Sequence, residues 1–154
     1  MIKKDLIFIE KDFSNQEAVL SFLANQVETL GLISNKEEFL VAIKKREEDI
    51  PTSVGYGIAM PHGRDDVIKT PFIAFLRVKE SFIWDKRNNE EVKMIFLIGV
   101  PETNGGTLHL KCISQISRNL MKEAFRNSLL NSVLVDEAYE LLENINKNIK
   151  EMYI

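Results

Sequence analysis

The sequence predicts an α/β fold, a three-layer α/β/α sandwich around a central mixed β-sheet. Three observations lead there. Met94-Ile95-Phe96-Leu97-Ile98-Gly99-Val100 is an unbroken apolar run bounded by Lys93 and Pro101, a length that suits a strand buried on both faces. Segments of helical spacing lie on both sides of the strand region in sequence, and covering both faces of a sheet is the natural way to bury them. Strands and helices do not strictly alternate along the chain, so the sheet is expected to be mixed.

The elements follow in order. Leu6-Ile7-Phe8-Ile9 reads as a short strand. Ser14-Asn15-Gln16-Glu17 reads as a capping box, in which the Ser hydroxyl and the Glu carboxylate each satisfy a free backbone N–H at a helix start. Ala18, Val19, Phe22, Leu23, Val27 and Leu30 then recur at helical spacing, with Gly31 placed as the stop. Ser34-Asn35-Lys36-Glu37 repeats the capping signature for a second helix through Phe39, Leu40 and Ile43, which must end before Pro51. Residues 72–78 read as a mostly buried strand. After residues 94–100, Gly105-Gly106 breaks the chain. Leu108, Cys112, Ile113, Ile116 and Leu120 then fall on one helical face, and Ala138, Leu141, Leu142 and Ile145 on another.

With 154 residues, 45% of them hydrophobic, the chain is expected to form one domain, residues 1–154, with a core of ordinary size. A net charge of −3 without a basic block argues against nucleic acid as the main partner and against an anionic membrane surface. A single cysteine, Cys112, excludes an internal disulfide and fits a reducing compartment. Residues 1–10 are charged and lack a leader-like apolar segment. The longest apolar run is far shorter than the roughly 20 residues of a membrane span. The expectation is a cytoplasmic protein with no membrane insertion.

The chemistry concentrates in the middle of the chain. Gly55, Gly57 and Gly63 surround Ile58-Ala59-Met60-Pro61-His62. Pro61 fixes its own φ and pushes Met60 toward an extended conformation, so His62 is expected on a defined turn. The only other histidine, His109, stands in the first turn of an expected helix. Each residue also has a plainer reading: His62 as a loop histidine, His109 as a helix-start residue, residues 44–49 as a solvated helix end, and Trp84-Asp85 as a turn with a packed aromatic. Neutral imidazole is a good nucleophile near neutral pH, and attack on phosphorus needs positive charge around the equatorial oxygens. His109 and Cys112, three apart on a helix, suggest a metal pair, but no further Cys or His spacing completes a set, so no metal is expected.

Gly57-Ile58-Ala59-Met60-Pro61-His62-Gly63 resembles the active-site signature of the enzyme IIA component of the phosphoenolpyruvate-dependent sugar phosphotransferase system, fructose–mannitol type. Arg46-Glu47 followed by Pro51-Thr52, then Phe82-Ile83-Trp84-Asp85, Val92, the 94–100 run with Pro101-Glu102, and His109-Leu110 are similar to further landmarks of that family, in the same order. Leu108 stands where the family usually has an acidic or amide residue. The resemblance implies an α/β/α sandwich with a mixed sheet. It also implies that His62 accepts a phosphoryl group on Nε2 from the phosphocarrier HPr and passes it to a cysteine of enzyme IIB, serving a membrane enzyme IIC indirectly. His109 would help bind the phosphoryl oxygens, Arg46 would supply charge, and no cofactor would be needed. A regulatory phosphoprotein like the nitrogen-related enzyme IIA, or a non-catalytic ligand-binding module, are the alternatives. Phe82-Ile83 and Trp84-Asp85 lean toward the sugar type.

Overall fold

The computed structural model describes the chain except Gly105 and Ile154. A 3-10 turn at Lys4–Leu6 leads into β1, Ile7–Lys11, one residue later than the apolar pattern suggests. Helices α1, Gln16–Thr29, and α2, Lys36–Asp49, follow. Both start one residue later than expected. The cap of α1 is Asn15, whose side chain accepts from the Ala18 N–H at 2.8 Å, and that of α2 is Asn35, which accepts from Glu38 at 3.0 Å. Asparagine caps as well as serine, so each Ser-Asn pair offered two solutions and the second was taken.

Three short strands then appear where a single turn was expected: β2, Ser53–Gly55, β3, Ile58–Ala59, and β4, His62–Asp65. Long strands β5, Phe72–Ile83, and β6, Glu91–Pro101, form the centre of the sheet. Helices α3, Thr107–Leu120, α4, Glu123–Asn131, and α5, Val135–Tyr153, complete the chain. The break expected at Gly105 lies outside the described residues, while Gly106 is the N-cap of α3.

The sheet has the order β1-β5-β6-β3-β2, with β4 also paired to β6. β1 runs parallel to β5, β5 antiparallel to β6, and β3 and β4 parallel to β6, so the sheet is mixed. β6 shows why both faces are buried. Ile95 and Leu97 join a core with Val19, Leu23 and Val27 of α1 and Phe39 and Ile43 of α2. Met94, Phe96, Ile98 and Val100 join a second core with Cys112 and Ile116 of α3, Leu129 of α4, and Leu142 and Ile145 of α5. The alternation of one continuous apolar run therefore feeds two helical layers. Gly99 has no alternative: a Cβ there would stand 2.4 Å from the Phe72 ring.

Strands β3 and β4 are two segments of one line along β6, separated at Met60-Pro61. Among the described residues, β2 pairs only with β3, and β4 has no strand on its other side. His62 therefore opens a strand at the free edge of the sheet, where expectation put a turn. The hairpin before it needs its glycines, because Gly55, Tyr56 and Gly57 all have positive φ, at 90°, 57° and 75°.

Candidate functional site

Strand β4 pairs His62 with Ile98 and Arg64 with Val100. Both partners belong to the core beneath α3, so His62 and Arg64 lie on the α3 face. Gly63 between them faces α2, and a Cβ on it would stand 2.9 Å from Ile43 Cδ1. The missing side chain lets α2 lie close on β4. Three residues after Ile43 on the same helix face comes Arg46, which that approach delivers to His62.

The bonds at His62 fix its tautomer. Arg46 Nε–H donates to His62 Nε2 at 3.2 Å, so Nε2 carries a lone pair. The ring proton is then on Nδ1, 3.0 Å from the Met60 carbonyl that accepts it. Arg46 Nη1 also donates to the Ile50 carbonyl at 2.9 Å. Burial lowers the His62 pKa below the ordinary imidazole value of 6.5, with the Arg46 charge adding to the effect and the Met60 bond and Glu47 opposing it. The neutral, nucleophilic form is thus favoured near neutral pH.

His109, in the first turn of α3, stacks against His62 with ring centroids 6.1 Å apart and planes 21° from parallel. Its pKa is lowered as well, by burial, then by His62 and Arg64. Its Nδ1 is buried and has no partner among the described residues. The expected trio of His62, His109 and Arg46 lines one cleft of about 900 Å³, together with Glu37, Glu38, Lys45 and Arg64.

Sequence reasoning missed Arg64. It stands two residues after His62, a spacing that shares a face only if the segment is a strand. The guanidinium sits over the start of α3, where a Cβ on Gly106 would meet Arg64 Nη1 at 2.9 Å. Reading residues 44–49 as a solvated helix end also fails in part, since Glu47 is buried and Arg46 half-buried. Cys112 does not join His109. Its sulfur is buried in the core, 4.0 Å from Met1 Sδ, and desolvation pushes the thiol up to about 11. Among the described residues no group of three His, Cys, Asp or Glu side chains is placed to hold a metal.

Residues 1–145 match the family model of the phosphoenolpyruvate-dependent sugar phosphotransferase system, EIIA 2. The chain belongs to this family. A fructose-specific EIIA component from Haloferax volcanii is 31% identical over 141 residues, 92% of this chain and 91% of that protein. Multiphosphoryl transfer protein 1 of Escherichia coli is 31% identical over 138 residues, but the chain spans only 16% of its length. Among solved structures, the nitrogen regulatory protein IIA-Ntr of Neisseria meningitidis superposes with a TM-score of 0.84 at 23% identity, covering 92% of this chain and 95% of that one. IIA mannitol of Escherichia coli gives 0.79, also at 23%, covering 92% and 99%. Membership makes this EIIA-type chain a phosphoryl-transfer component of a sugar phosphotransferase system. Among the described residues no helix is long and apolar enough to cross a membrane.

Proposed function

We propose that His62 is the phosphoryl carrier, accepting a phosphoryl group from phospho-HPr and passing it to a cysteine of an enzyme IIB. The observation that carries this reading is the pair of bonds that puts the proton on Nδ1 and leaves the Nε2 lone pair at the cleft. In the first step that lone pair attacks phosphorus. The N–P bond of the donor breaks, and its electrons return to the donor imidazole. In the second step a thiolate attacks the same phosphorus, and the N–P bond electrons return to His62.

Once Nε2 carries the phosphoryl group it no longer accepts from Arg46. The Arg46 Nε–H then turns to a phosphoryl oxygen, and a charge-assisted bond of that kind is worth about 1.5–3 kcal/mol. His109 and Arg64 face the other side of the group. A shallow, open site suits an acceptor that must meet two partners in turn, and such encounters use small interfaces. A complex of enzyme IIA mannitol with phosphorylated enzyme IIB mannitol is among the structures this fold resembles, which supports an enzyme IIB as acceptor.

The test is phosphorylation with phosphoenolpyruvate, enzyme I and HPr. The chain should take up label that is lost in acid and kept in base, as a phosphoramidate requires. Label of equal extent on a His62→Ala variant would remove His62 from the role. Absence of label on the unaltered chain would favour a non-catalytic binding module.

A further inference from the structure

The end of α2 is gripped by groups that do not line the cleft. Glu47, the neighbour of Arg46, is only 4% exposed. Its carboxylate accepts from the Thr52 backbone N–H at 2.6 Å, the Thr52 hydroxyl at 2.5 Å and the Trp84 indole N–H at 2.8 Å. A buried carboxylate persists when donors replace its lost water in this way. Trp84, the sole tryptophan, follows directly on β5 and is itself buried.

Beyond Trp84 the chain turns back. The Asp85 carboxylate takes Nε and Nη2 of Arg87 at 3.0 and 2.7 Å. The Arg87 guanidinium in turn donates to the backbone carbonyls of Glu47 and Glu48. These carbonyls lack helical partners for a local reason. The Glu47 carbonyl would need an N–H at position 51, which is proline, and the Glu48 carbonyl would need the Thr52 N–H, which is given to the Glu47 carboxylate.

We propose that Trp84, Asp85 and Arg87 are positioning residues that fix the root of Arg46, and so set where its guanidinium lies beside His62. The proposal rests on the phosphoryl-carrier reading of His62. Arginine is long and loses much rotamer freedom when held in one place. Here the Ile50 carbonyl that anchors Nη1 lies between Glu47 and Thr52, so the same bonds that hold the helix end hold the anchor. A fixed root and an anchored Nη1, with only the Nε–H changing acceptor, suit the reaction. The Nε–H must leave Nε2 when the phosphoryl group arrives, yet stay within reach of its oxygens.

The experiment uses Arg87→Gln and Trp84→Phe in the full chain. The Arg87 side chain is 46% exposed, so its replacement should leave the fold intact. A freed Arg46 withdraws charge from His62, so the His62 ring, titrated by NMR, should shift upward toward 6.5 in both variants. Transfer from phospho-HPr should slow roughly tenfold in Arg87→Gln. Arg46→Gln combined with Arg87→Gln should be no slower than Arg46→Gln alone, because the second change acts only through the first. A His62 titration unchanged in both single variants overturns the proposal whatever the rates do, and so do losses that multiply in the double variant. Absence of label on the unaltered chain refutes the phosphoryl-carrier reading instead, and the titration still decides the positioning role.

Discussion

The two walls of the cleft each carry an arginine, but they hold it differently. On the α2 wall, Arg46 bonds His62 and Ile50, and the adjacent Glu47 accepts from Thr52 and Trp84. On the α3 wall, Arg64 makes no hydrogen bond or ion pair with another described residue, and His109 Nδ1 is buried without a described partner. The α3 cap, Gly106, contributes no side-chain bond either. The contrast bears on the phosphoryl-carrier reading proposed above. One wall already fixes the tautomer of His62. On that reading, the other wall, whose Arg64 and His109 Nδ1 have no described partners, is the one left open to phosphoryl oxygens.

The largest effect should come from His62→Ala, which removes the acceptor atom of the proposed reaction. Labelling from phospho-HPr should vanish while the melting temperature stays close to that of the unaltered chain. Neither wall can compensate for a missing Nε2.

A like-for-like change sharpens the contrast. Arg46→Gln should slow transfer by roughly one to two decades, the equivalent of one charge-assisted bond of about 1.5–3 kcal/mol. Arg64→Gln should cost less than about one decade, because an exposed side chain is screened by solvent. It should also raise the His109 pKa, which the Arg64 charge depresses. Equal losses from the two arginines in single-turnover assays would erase the distinction between the walls.

His109→Ala probes the α3 wall by its other donor. It should fold and lose roughly one decade or more of rate, in both the forward and the onward transfer. Wild-type rates in both directions would take His109 out of the reaction.

The smallest effect concerns pH. Both histidines titrate below 6.5 when folded, because burial disfavours their charged forms. In the unfolded chain they take up protons near 6.5. Below that value the unfolded state binds more protons, so the histidines' contribution to stability is present above 6.5 and is lost as pH drops toward the folded pKa values. Transfer rate should fall at the lower end of that window, as pH passes through the lowered folded pKa of His62 and Nε2 becomes protonated. Denaturant titrations at pH 7.5 and pH 5 should show the loss, and His62→Ala should reduce it. An equal loss in that variant would place the dependence elsewhere.

Much of the fold was legible from local pattern. The 94–100 run, the strand at 72–78 and the amphipathic faces led by Leu108 and Ala138 declare themselves through side-chain period and length, and these are properties of neighbouring residues. Helix α4 was not legible, since it buries only Leu129 among its nine residues and leaves little stripe to see. Strands β3 and β4 were missed for another reason. Two and four residues are too short for a period, and their pairing is supplied by β6, whose partner residues lie 36 positions further along the chain, as in Ile58 with Met94 and His62 with Ile98.

By itself the sequence determined that two apolar strands would need helices on both faces, and that His62 would be held between a residue of fixed φ and one without a side chain. It also supplied the candidates His62, His109 and Arg46. Only the tertiary structure decided that these three share one cleft, that Arg64 belongs with them, and that Glu47 is buried beneath Trp84. Each of those facts depends on contacts between distant segments. Gly63 lets α2 approach β4, Gly106 leaves room for Arg64, and the turn after β5 reaches back to the end of α2. A residue's partners across such contacts are set by packing, and no local period encodes them.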